Sequence, residues 1–230
     1  MKKSTIATLI VFFLLIPATL FLGSRLQGRS WYITGTLVII EVLIPFIMAF
    51  EGRKPQAREL VVIAVMCAIA VAARAAIPLP HFKPMFAVII ISGFAFGPQT
   101  GFLVGAVTAF ASNFFYGQGA YTPWQMLAYG TAGLLGGWFY ARGWVGRKSV
   151  VMAIYGFLSV FLIVGPMLDT CSVFLTLTEI TPATAWPIYL SGLPVNASQG
   201  LCTFLTLLLL GKPLLEKLDR VKLKFGISEE

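Results

Sequence analysis

Apolar residues run along this chain in blocks close to the ~20 needed to span a bilayer, separated by short stretches that gather its charge, proline and glycine. Within a block the apolar character is continuous rather than alternating, so each block reads as a helix and not as a barrel strand. The blocks fall at 5–22, 31–50, about 59–77, 85–96, 100–115, 126–141, 150–178 and 186–211. The pattern predicts an all-α integral membrane protein with about eight spans and both termini cytoplasmic.

Several breaks refine these elements. "PLPHFKP" (78–84) ends one helix and forms an irregular link, because proline cannot continue the backbone ladder. Gly97-Pro98 followed by Gln99 favours a tight turn between two short spans over one bent span. Gly165-Pro166 predicts a kink within 150–178. The first block is long for a signal-peptide core and no A-x-A-like site follows it, so it reads as a retained helix.

Composition agrees with the pattern: 58% of the residues are hydrophobic, 11% are charged and the mean hydropathy is +0.87. The net charge of +8 raises the question of nucleic acid, which the position of the charges answers. With eight spans starting inside, 13 of the 17 basic residues fall on cytoplasmic pieces, and only Arg25, Arg29, Arg74 and Lys83 lie towards the outside. That is the positive-inside bias of a membrane protein, with contact to anionic lipid as a further consequence and no nucleic-acid role.

Few residues offer chemistry. No phosphate-binding G-x-x-x-x-G-K-[ST] is present, since Gly211-Lys212 is followed by proline. One histidine and scattered acids make no catalytic set, and Cys67, Cys171 and Cys202 lie far apart in apolar blocks, so neither an enzyme nor a metal site is expected. Asp169 and Glu41 stand inside spans. Asp169 could face an outward pocket or make an interhelical hydrogen bond; Glu41 suits a bond to a neighbouring helix or to freed backbone. Arg74, near the outer end of its helix, reads as a snorkelling side chain.

Small residues recur at helical spacing. Ala64, Ala68, Ala72 and Ala76 stripe one helix, while Gly93, Gly97, Gly101 and Gly105, with Gly133 and Gly137, read as internal packing. On the outer side, "FFYGQGAYTPWQM" (114–126) carries more amides than an aromatic anchor belt needs, and apolar walls with a few polar groups suit a small-molecule pocket.

Residues 58–212, with their alanine stripe, short second span and the passage "GFLVGAVTAFASNFFYGQGAYTPWQM", resemble the substrate-binding S component of energy-coupling factor (ECF) transporters, and within that family the cobalamin-type S component. The resemblance implies a six-helix core at 58–212, preceded by two extra helices in 1–57 and followed by a charged cytoplasmic tail at 213–230. It implies a multi-pass protein of the prokaryotic plasma membrane that captures a vitamin, here cobalamin or a related cobamide, at the outer face. No cofactor is held permanently. Its partners would be a transmembrane coupling subunit and two cytoplasmic ATPases, and transport would proceed by toppling in the membrane. The family's A-x-x-x-A docking motif falls on Ala64 and Ala68, with Ala72 continuing it, and its gating loops on 77–84 and 116–123.

Candidate substrate-binding residues are therefore His81, Phe82 and Lys83 in the first link; Asn113, Tyr116, Gln118, Tyr121, Thr122, Trp124 and Gln125 around the second; and Asp169, Tyr189 and Asn196 in the last two spans. The alternatives are an S component for another vitamin and a stand-alone secondary transporter. The latter would show inverted repeats and more intramembrane charge, and no clear repeat is present.

Overall fold

The computed structural model describes residues 10–15, 18, 19, 22, 30–52, 57–76 and 79–225. Among them seven helices account for the fold: α1 (Ser30–Gly52), α2 (Ala57–Ala76), α3 (Met85–Phe96), α4 (Pro98–Tyr116), α5 (Thr122–Ala141), α6 (Ser149–Thr176) and α7 (Pro182–Lys224). The all-helical expectation holds. Eight spans are not shown. Among the described residues, α2, α6 and α7 are long and apolar enough to cross a membrane, and most of the block at 5–22 lies outside the described residues.

Helix α3 is the centre of the bundle. Every one of its residues is buried, Phe86, Ile89 and Ile90 completely, and it packs against α2, α4, α5, α6 and α7. Lipid cannot reach a helix so enclosed, which explains why it is apolar on all sides. Its 12 residues rise about 18 Å, well short of the hydrocarbon thickness of about 30 Å. The turn expected after it is present: Gly97 adopts φ +88, a left-handed conformation that favours glycine, and Pro98 opens α4.

The α3–α4–α5 trio is joined backbone to backbone. A Cβ added to Gly133 would lie 2.0 Å from the Gly101 carbonyl oxygen, one on Gly93 2.2 Å from that of Gly133, and one on Gly105 2.2 Å from that of Tyr129. These glycines pack internally, as expected, and let the helices approach where lipid offers no hydrophobic drive for association.

Two helices contain wide turns. In α6, residues Val160–Val164 are π-helical and the Gly165 amide donates to the Val160 carbonyl, directly before Pro166. The break expected at Gly165-Pro166 thus becomes an extra residue in the turn ahead of the proline, a usual way to accommodate its missing N–H. In α7 the same happens at Leu207–Gly211, and the helix then continues through Lys212–Phe225 with Leu215 buried against the core.

The two ends of the bundle differ. Arg147, between α5 and α6, pairs with Asp219 near the end of α7 at 2.7 Å and donates to the Tyr140 hydroxyl, both of which raise its already high pKa. At this same basic end the Arg142 guanidinium lies 4.0 Å over the Trp138 ring. The other end carries the 79–84 and 117–121 links and the polar residues around them.

Candidate functional site

At the non-basic end, residues 79–84 link α2 to the short α3. His81 in that link has φ +59, a left-handed conformation uncommon for a residue with a side chain, and is exposed. Phe82 and Lys83 are half-buried. These three candidates lie in the link between α2 and α3.

Asn113 forms the hub of the second group. It is fully buried on α4, its Oδ1 accepts from Arg74 Nη1 of α2 at 2.9 Å, and its Nδ2 donates to Thr122 Oγ1 at 3.1 Å and Gln125 Oε1 at 2.8 Å on α5. Arg74 also donates to Ser112, and its guanidinium stands 4.7 Å from the centre of the Tyr116 ring, whose hydroxyl donates to the Arg74 carbonyl at 3.1 Å. A buried carboxamide on one helix with partners on two others fixes the register of all three, since an unmatched polar group would be costly there.

The link itself is bonded to its own neighbours. Gln118 Nε2 donates to the Phe110 carbonyl at 2.9 Å, Thr122 Oγ1 donates to Gln118 Oε1 at 2.9 Å, and the Tyr121 hydroxyl donates to the Gly117 carbonyl at 2.6 Å. The amides that suggested an amide-rich ligand are thus engaged with one another and with backbone. Trp124, on the first turn of α5, is buried instead in an apolar cluster with Ile39, Phe102 and Cys171, and its ring centre is 5.4 Å from that of Phe174. Its indole N–H is buried without a hydrogen-bond partner among the described residues.

Asp169, Tyr189 and Asn196 form a third group, on α6 and α7. Asn196 Nδ2 donates to Asp169 Oδ2 at 2.8 Å, and Thr170 and Tyr189 share a hydroxyl–hydroxyl bond of 2.8 Å. Of the two readings open for Asp169, the interhelical hydrogen bond is present. The pair is reciprocal in design: a Cβ on Gly192 would lie 2.2 Å from Asp169 Oδ1, and one on Gly165 2.3 Å from Asn196 Cγ. Each polar side chain packs on the glycine one turn before its partner, so both helices close around the bond.

Ser112 and Phe174 escaped the sequence reading, and Arg74, which reads there as a snorkelling side chain, bonds instead to Ser112 and Asn113. Arg74 could have been found from its height: it lies near the end of α2, level with the polar end of α4, where a cation can do more than reach for the headgroups. Glu41 behaves as expected, accepting from the Thr19 hydroxyl at 2.5 Å. Among the described residues no group of three or more His, Cys, Asp and Glu could hold a metal.

The alanine stripe lies open. Ala64, Ala68, Ala72 and Ala76 are exposed with Val61, Val65 and Ile69, while Ile63, Met66, Cys67 and Ala70 face the core.

Comparison with known proteins adds one finding. A family model described as ECF-type riboflavin transporter, S component, matches residues 54–218, well over half of the chain. No curated protein and no solved structure matches. The match supports the S-component resemblance and overturns its cobalamin assignment, both as family type and as ligand. The physical reason lies in the amides: Asn113, Gln118 and Gln125 satisfy protein groups, so their number was no measure of the ligand's own.

Proposed function

The chain belongs to the family of ECF-type riboflavin transporter S components, and on that premise we propose that it captures riboflavin at the outer face and delivers it to an energy-coupling module. S components are non-catalytic substrate-binding membrane subunits, so the chain is not an enzyme; it is a multi-pass protein of the prokaryotic plasma membrane. The observation that carries the substrate is the family match over 54–218, which runs from the start of α2 into the last turns of α7.

The geometry supports a site at the polar end. Riboflavin joins a flat, largely apolar ring system to a chain of hydroxyls, and such a ligand needs apolar walls with a few placed polar groups. In this reading the short α3 forms the floor, and Phe82 and Lys83, the Tyr116–Gln125 region, and Asp169, Tyr189 and Asn196 form the walls. The network around Asn113 positions these walls, and the links at 79–84 and 117–121 act as covers. In this reading segment 1–57 precedes a substrate-binding core at 58–212, and 213–230 is its cytoplasmic extension.

Energy comes from elsewhere, since S components work with a transmembrane coupling subunit and ATPases. The exposed face of Ala64, Ala68 and Ala72 is where that subunit docks, because small residues admit a second helix closely.

The test is a titration of the purified full-length protein with riboflavin, following the loss of flavin fluorescence. Saturable, equimolar quenching that other vitamins do not compete is expected. Riboflavin that stays fully fluorescent in the presence of excess protein overturns the assignment.

A further inference from the structure

Helix α1 lies outside the segment that the family model matches, yet it packs against α4, α5 and α6. Two adjacent residues of its first turns make the contact specific. At Gly35 an added Cβ would fall 2.9 Å from both Trp124 Cζ2 and Phe174 Cδ1, so the α1 backbone rests directly on those two rings. At Thr36 the hydroxyl donates to the Ala120 carbonyl at 3.3 Å. Ala120 belongs to the 117–121 link. The link's other hydrogen bonds described above run to α4, to α5 or within itself.

We propose that α1 is a strut that holds the 117–121 link closed from the side, with Gly35 and Thr36 as positioning residues that set how readily the link opens. This rests on reading the polar end as the riboflavin site. The two contacts divide the work. The glycine seat is apolar and close-packed, so it fixes where α1 stands relative to Trp124. The hydroxyl bond is long for an O–H···O contact and therefore weak, which suits a tie that must break each time substrate enters or leaves. Because the strut touches the cover and not the floor, it governs the rates of entry and release more than the affinity.

Stopped-flow flavin fluorescence on the full-length protein tests this. Thr36→Val keeps the side-chain volume and removes the donor; it should raise the riboflavin release rate by roughly two- to tenfold, the ratio expected for one neutral hydrogen bond, with a parallel rise in the entry rate. Thr36→Ser restores the donor and should restore the wild-type rates. Gly35→Val, whose side chain meets Trp124 and Phe174, should act in the same direction as Thr36→Val. Release at the wild-type rate from Thr36→Val, or a Thr36→Ser variant that behaves like Thr36→Val, overturns the strut while wild-type binding leaves the substrate reading intact. Failure of the wild-type protein to bind riboflavin overturns both.

Discussion

At the scale of single residues, the outer end depends on Asn113 and Arg74. Asn113 joins three helices through both ends of one carboxamide, so its removal leaves Arg74, Thr122 and Gln125 each short of a partner at once. Asn113→Ala should lower stability by about 1–3 kcal/mol, the cost of leaving buried polar groups unmatched. A fall in the midpoint of thermal unfolding in detergent checks it, and an unchanged midpoint would remove Asn113 as hub. The position of Asn113 was legible from sequence, because a carboxamide deep in an apolar helix needs partners. Its partners were not. Arg74 read as a snorkelling side chain since nothing in one helix reveals what the next helix offers it. Nor were the neighbours of Trp124 legible, since Gly35 and Phe174, which pack on its ring, come from distant helices.

At the scale of elements, periodicity located the helices well, but apolar length alone does not show which of them face lipid. Helix α3 is as apolar as a span, and only its enclosure by five other helices explains that; apolar length alone cannot separate a buried central helix from a lipid-facing one. Of the glycine row, Gly93, Gly101 and Gly105 pack against α5 as read, whereas Gly97 forms the turn between α3 and α4 and an added Cβ there meets nothing within 4 Å. Gly133 is the tightest point of that packing, with 2.0 Å between an added Cβ and the Gly101 carbonyl oxygen. Gly133→Leu must therefore separate α4 from α5, and the polar network at the outer end of the same pair would lose its register. We expect loss of about 1–3 kcal/mol or more, as for an overpacked core, seen as poor yield of monodisperse protein. Gly146, where an added Cβ meets nothing within 4 Å, is the control: Gly146→Ala should behave as wild type.

At the scale of the whole molecule, the chain presents three distinct surfaces: a basic end, a polar end with two links, and an open alanine face on α2. Charge asymmetry made the two ends legible, because the basic residues of separate links had to gather on one side, as the Arg147–Asp219 pair across α5, α6 and α7 illustrates. The substrate was not legible in the same way, since the polar residues nearest the links bond mainly to one another. The alanine face is where binding and delivery can be separated. Its residues point away from Ile63, Met66 and Ala70, which hold α2 to the core, so enlarging them leaves the core contacts in place. Ala64→Trp combined with Ala68→Trp should leave riboflavin binding to the isolated protein within about twofold of wild type, as expected for surface changes of roughly half a kcal/mol or less. The same pair should abolish stable assembly with the coupling subunit, because a helix that approaches a small-residue stripe cannot approach two indoles. Co-purification with the coupling subunit and vitamin uptake by cells measure the second effect. Loss of binding in the isolated variant would mean that the face supports the fold instead, and full uptake with normal binding would place docking on another surface.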